Sequence, residues 1–157
     1  MRRGYRLLAS IVSISSPFVA RFGAQVRNGT APPQFIGCYA LTVGPWSRPL
    51  RDSTHYVVPS RVHLDTARAE RGPGWKLTPN IQYLGGSSMR GFPSWSAGGD
   101  SVVLTWTNGF TPTVVTLHVR DSLLVGDAVA LTDARYVGEP PRPRAPVSAV
   151  RRPCDPG

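Results

Sequence analysis

SVVLTWTNGFTPTVVTLHVRDSLLVGDAVALTD, residues 101–133, reads as three antiparallel strands joined by tight turns. Val102, Leu104 and Trp106 share one parity, and Val115, Leu117 and Val119 share the matching parity of the next strand. Thr105, Thr107, Thr116 and His118 fall on the other face. Alternation of this kind marks strands with one buried face. Asn108-Gly109 lies between the runs, and a type I′ turn needs positive φ at both central residues. A two-residue turn there would pair Trp106 with Thr111, Leu104 with Thr113 and Val102 with Val115. The second turn, around Arg120-Asp121-Ser122, leaves two readings open. Two loop residues turn Leu124 inward; three turn Leu123 and Val125 inward. Gly126 suggests a bulge that resets the phase before Val129 and Leu131.

Outward from this meander the signals stay β-like. Residues 35–43, FIGCYALTV, form an apolar strand stopped by Pro45. In residues 53–64 Tyr56, Val58, Val62 and Leu64 alternate with His55, Arg61 and His63, and Pro59 demands an edge or a bulge. Residues 66–70, TARAE, are the one segment with helical character. Residues 75–84 read as a broken strand, residues 89–96 as an irregular strand or lid, and residues 97–100 as a turn. The fold class is therefore all-β, an antiparallel meander forming a small up-and-down barrel, with a β-sandwich as the alternative. Sixteen prolines and sixteen glycines among 157 residues fit many short strands and one domain.

The flanks carry the remaining organisation. Residues 1–24 read as a signal peptide: Arg2, Arg3 and Arg6 precede a thirteen-residue apolar run, 7–19, too short to span a bilayer. A secreted or periplasmic location is the expectation. Residues 25–34 are a linker, residues 35–135 the barrel domain, and residues 136–157 a Pro/Arg-rich tail tending to extended backbone. The net charge of +9 is almost wholly arginine, and loss of the four arginines before residue 24 lowers it to +5. The rest are scattered through the domain and gathered only in the tail. That pattern argues against a nucleic-acid surface, while leaving weak contact with anionic envelope surfaces open.

Two cysteines, Cys38 and Cys154, are expected to form a disulfide tying the tail to the first strand. No metal site is expected from His55, His63 and His118, which lie opposite the apolar parity without ligand spacing. No cofactor motif or catalytic elbow stands out, and Asp100, Asp121 and Asp133 sit at turns or strand ends. Trp46, Trp75, Phe92 and Trp95 lie beside Gly or Pro or near strand ends, where aromatics of a small barrel ring its mouth. They are the candidate ligand-binding set, with core plugs as the competing role.

With Gly37-Cys38-Tyr39 opening the first strand, tight hairpins following it, and a cysteine link from the tail, the chain resembles the lipocalin/calycin group of small exported barrels. Tyr39 stands where lipocalins carry tryptophan. The resemblance implies binding of a small apolar ligand inside the barrel, and the lack of a catalytic motif sets the expectation of a non-enzymatic protein. The competing expectation is a non-catalytic envelope module using its basic Pro-rich tail.

Overall fold

The computed structural model describes residues 29–50, 58–80, 93–106, 112–131 and 141–154. Residues 1–28, and with them the signal-peptide reading, lie outside these, as do His55, Tyr56, Phe92, Asn108-Gly109 and Asp133. A 3₁₀ turn, Pro33–Phe35, leads into β1 (Gly37–Val43). Then come β2 (Arg61–Arg68), β3 (Trp75–Pro79), β4 (Ser94–Gly98), β5 (Ser101–Trp106), β6 (Thr113–Arg120), β7 (Leu123–Ala130) and β8 (Arg144–Arg152). Each strand pairs with the next and β8 returns to β1, so the sheet is a closed, all-antiparallel, up-and-down barrel. Closure leaves no unpaired edge, which is the state that a sheet of short strands needs to avoid edge association.

Binary pattern explains the interior. Tyr39, Leu41, Val62, Leu64, Trp75, Leu77, Trp95, Val102, Leu104, Trp106, Val115 and Leu117 all point inward and are buried. The far wall is built small: Ala128 and Ala130 on β7, Ala145 and Ala149 on β8 are at most 1% exposed. In an eight-stranded ring β7 and β8 lie four strands from β3 and β4, which carry Trp75 and Trp95. Large side chains on one wall thus meet small ones on the other, as close packing requires. Phe35, 1% exposed, joins this core from the 3₁₀ turn.

The meander is present, in a different register. Trp106 pairs with Thr113, Leu104 with Val115 and Val102 with Leu117, two residues away from what a two-residue Asn108-Gly109 turn would impose. A slip of two preserves every inward side chain, so the pattern cannot detect it. The ladder itself supplies a reason: the expected register sets Pro112, which has no N–H, opposite Thr105, whereas the observed one leaves Pro112 just outside the strand. Its carbonyl instead accepts from Leu131 N–H at 2.9 Å.

The second turn takes the two-residue form. Arg120 pairs with Leu123, Asp121 carries φ 54°, and Leu124 is buried while Leu123 is exposed. Val119, expected inside, is 41% exposed at the rim beside this turn. There is no bulge at Gly126, because β6 and β7 pair without interruption from Thr113–Ala130 to Arg120–Leu123. The phase stays even, so Ala128 and Ala130 point in where Val129 and Leu131 were expected. The lack of a side chain at Gly126 serves close approach: a Cβ there would sit 1.9 Å from the Thr116 carbonyl oxygen.

Two further differences come from long-range pairing. Thr66, Ala67 and Arg68 belong to β2 rather than to a helical turn. The β2–β3 register shifts between Leu64 and Arg68, and Asp65 Oδ1 accepts from Ala67 N–H at 3.1 Å across this bulge. The Asp65 carbonyl, turned out of the ladder, accepts the Trp95 indole N–H at 3.0 Å. The Pro/Arg-rich segment, in turn, contains β8, whose Ala145, Val147 and Ala149 are core residues, so the barrel extends past residue 135. Pro146 stands where its missing N–H is harmless, and its carbonyl accepts from Gly44 N–H at 2.8 Å.

Candidate functional site

The aromatic set expected at the mouth divides. Trp75 and Trp95 are directly paired across β3 and β4, with ring centroids 4.8 Å apart, and are 3% and 1% exposed. They fill the barrel. The Trp75 ring is also covered by the Arg68 guanidinium at 5.6 Å. Trp46 is half-buried against the same core. Phe92 lies outside the described residues. Proline and glycine neighbours told where elements end, and could not tell which way the rings point.

The described interior offers little room. Val62, Leu64, Trp75, Leu77, Trp95, Val102, Leu104, Trp106, Val115, Leu117, Ala128, Ala145, Val147 and Ala149 are all 0–3% exposed, with Leu124 at 7% and Ala97 only partly buried.

Among the described residues, open space is found on the outer face. A cleft of about 900 Å³ runs over β1, β2 and β3 to the end of β8. Cys38 and Ala40, Arg61 and His63, Thr78 and Pro79, and Arg152, Pro153 and Cys154 line it, with Asn80 at one end. Its floor is set by the β1–β2 ladder, in which Cys38 pairs with His63 and Ala40 with Arg61. Asn80 fixes the end where β2 and β3 meet: its Oδ1 accepts from Arg61 N–H at 3.0 Å and its Nδ2 donates to Ser60 Oγ at 3.0 Å. Arg61 and Arg152 give the lining positive character, and no Asp or Glu is among the described residues that line it.

Cys38 and Cys154 form the expected disulfide, with Cα atoms 5.2 Å apart across 116 residues of sequence. It crosses the cleft wall and pins the segment after β8 to β1. On the neighbouring rim Arg151 performs a second closure. Its Nη2 donates to the carbonyls of Gln34 (3.0 Å) and Ile36 (2.6 Å), and its guanidinium lies 5.6 Å from the Tyr39 ring centroid. Those carbonyls flank the buried Phe35, so the arginine clips the 3₁₀ turn over the barrel end.

The titratable groups elsewhere are turn chemistry. Asp65 is held below its ordinary value of 3.8, first by the Ala67 N–H bond and then by Thr66 and the nearby His63. Asp100 and Asp121 occupy the β4–β5 and β6–β7 turns as expected. Ser101 Oγ lies 2.8 Å from His118 Nδ1 and 3.0 Å from Asp100 Oδ1. The composition is that of a relay, but the carboxylate contacts the serine rather than the imidazole, the reverse of the order in which a triad carboxylate holds its histidine. Within the cleft, the sequence offered Cys38 as a bridge and His63 as an outward side chain. Arg61 shares that outward parity, whereas only the non-local β1–β2–β3 and β1–β8 pairings bring Asn80 and Arg152 to the cleft.

Compared with known proteins, this chain matches no protein-family model, no curated protein and no solved structure.

Proposed function

We propose that this chain is an exported, non-enzymatic binding barrel, and that it takes a small apolar molecule bearing an anionic group in the cleft over β1, β2 and β3. The observation that carries this reading is the lining: Ala40, Pro79 and Pro153 supply apolar contact, Arg61 and Arg152 supply guanidinium groups, and His63 adds a hydrogen-bonding imidazole. The cleft volume of about 900 Å³ suits a small molecule. Guanidinium groups match carboxylate and phosphate oxygens in geometry as well as charge. The packed interior argues for the outer face over the barrel lumen as the binding place. The disulfide fits an oxidising compartment, which supports the secreted or periplasmic assignment.

The test is equilibrium binding of a straight-chain alkyl carboxylate, and of the neutral alcohol of equal length, to the purified barrel. The carboxylate should bind at least about tenfold tighter, equivalent to about 1.4 kcal/mol. Arg152→Gln should remove most of that preference. Equal affinity for acid and alcohol, or an Arg152→Gln variant indistinguishable from the parent, would contradict the assignment.

A second reading, contact with anionic envelope surfaces, draws support from Arg144 and Arg152, both exposed on β8. Deleting the C-terminal segment is no test of it, because β8 would be lost too. Vesicle binding that falls steeply with salt and with Arg144→Glu, while alkyl-carboxylate binding is unaffected by Arg144→Glu, would favour the envelope.

A further inference from the structure

Cys38, His63 and Cys154 present their ligand atoms within 4.8 Å of one another. Two of the three sulfur and nitrogen donors come from directly paired positions, since Cys38 on β1 faces His63 on β2. The third comes from the segment just beyond β8. All three line the cleft, where solvent can reach them. The relation to His63 is not needed for the disulfide, which already satisfies both sulfurs. A histidine at this position therefore adds a third donor beside the two sulfurs.

We infer that Cys38, Cys154 and His63 form a redox-gated metal site, closed while the disulfide is intact and able to bind a zinc-class divalent ion when it is reduced. Two thiolates and one neutral imidazole are a well-suited donor set for Zn²⁺, with the fourth position open toward the cleft. Metal–sulfur bonds of about 2.3 Å and metal–nitrogen bonds of about 2.0–2.1 Å require donors roughly 3.5–3.8 Å apart in a tetrahedral arrangement. The present spread of up to 4.8 Å is close to that for the imidazole. The two sulfurs, now bonded, must move apart once reduced. Cys154 can make that movement because it is exposed and lies two residues beyond the end of β8. Cys38 and His63 stay fixed by their ladder.

The chemistry balances with one named co-reactant, a dithiol reductant. The reductant passes two electrons and two protons to the disulfide, becoming a disulfide itself and leaving two protein thiols. The divalent ion then displaces both thiol protons and takes a lone pair from neutral His63. Two thiolates and a divalent cation sum to zero charge, so Arg61 and Arg152 in the same cleft do not oppose it. The barrel should survive reduction, since β8 keeps six paired positions with β1 and seven with β7 independently of the bridge. This inference does not depend on the ligand assigned to the cleft.

The experiment is a Co²⁺ titration of the full chain before and after reduction, read by the thiolate-to-cobalt charge-transfer and visible ligand-field bands, with Zn²⁺ back-titration. Near-UV circular dichroism of the reduced protein tracks the buried tryptophans. The expected result is one equivalent of Co²⁺ bound by the reduced barrel, displaced by Zn²⁺, with none bound by the oxidised form and the dichroism retained. His63→Ala should weaken the reduced form's affinity by at least about tenfold, no less than the cost of losing an outer-shell partner. His63→Cys, keeping a donor at that position, should retain binding with a more intense charge-transfer band. Reduced parent that binds no more Co²⁺ than oxidised parent would overturn the proposal. So would a His63→Ala variant with unchanged affinity, or loss of the near-UV signal on reduction.

Discussion

Gly126→Ala tests the ladder between β6 and β7 most sharply. An ideal Cβ at position 126 would lie 1.9 Å from the Thr116 carbonyl oxygen, 2.9 Å from its carbon and 3.1 Å from Leu117 Cα. All three are backbone atoms, so no side-chain rotation relieves the clash. To reach ordinary contact the strands must part by more than about 1 Å, in the middle of a ladder where β6 and β7 share eight paired positions. Overpacking a tight site typically costs about 1–3 kcal/mol, and a backbone clash belongs at the upper end. Gly126 does not have positive φ, so no conformational strain is added. The expected loss is about 3 kcal/mol, a fall in Tm of roughly 10 °C for a domain of this size. Gly99→Ala is the control. Gly99 has φ 62° in the β4–β5 turn and nothing within 4 Å of its added Cβ, so it incurs strain without crowding, about 1 kcal/mol. Urea unfolding of both variants and the parent measures the difference. A Gly126→Ala barrel within 1 kcal/mol of the parent would refute the close approach and, with it, this register.

Three further outcomes follow from the same contacts. Replacing both cysteines by serine removes a bridge across 116 residues; on the chain-entropy treatment that is worth about 4–5 kcal/mol, read as a lower urea midpoint. Arg151→Met keeps the stem over Tyr39 but strips the donors from the Gln34 and Ile36 carbonyls; at this exposed position the cost is about 1–2 kcal/mol, and amide exchange should rise first around Phe35. Because the folded value of Asp65 is lowered, its ionised contribution holds above about pH 4 and fades as pH falls through that lowered value. The stability gap between the parent and Asp65→Ala should therefore narrow in acid, and a gap that stays constant down to pH 2 would contradict the Ala67 bond as its source.

The parts of this fold legible in the sequence are those decided by parity. Val102, Leu104, Trp106, Val115 and Leu117 declare their face by alternation alone, and the observed interior agrees. Register is a different quantity. Displacing β6 by two residues exchanges no inward residue for an outward one, so parity is blind to it and the choice falls to Pro112, which cannot donate to the ladder. The same holds for β8. Its prolines and arginines suggest an extended tail, yet Ala145, Val147 and Ala149 are small enough to face the large rings of β3 and β4. Trp75 and Trp95 illustrate the limit for sites: flanking Gly and Pro mark the ends of strands along the chain, whereas inward or outward direction depends on the pairing across the ladder. The cleft is harder still, because it joins residues 38–40, 61–63, 78–80 and 152–154. Their meeting requires closure of the whole ring.

The most direct measurement is an amide chemical-shift titration of the barrel with a straight-chain alkyl carboxylate. Binding at the outer cleft predicts saturable shifts at Ala40, His63, Thr78, Asn80 and Arg152, with the amides of Val102, Leu104, Val115 and Leu117 unmoved. Shifts concentrated at those inward residues would place the ligand in the lumen and contradict the outer-cleft assignment.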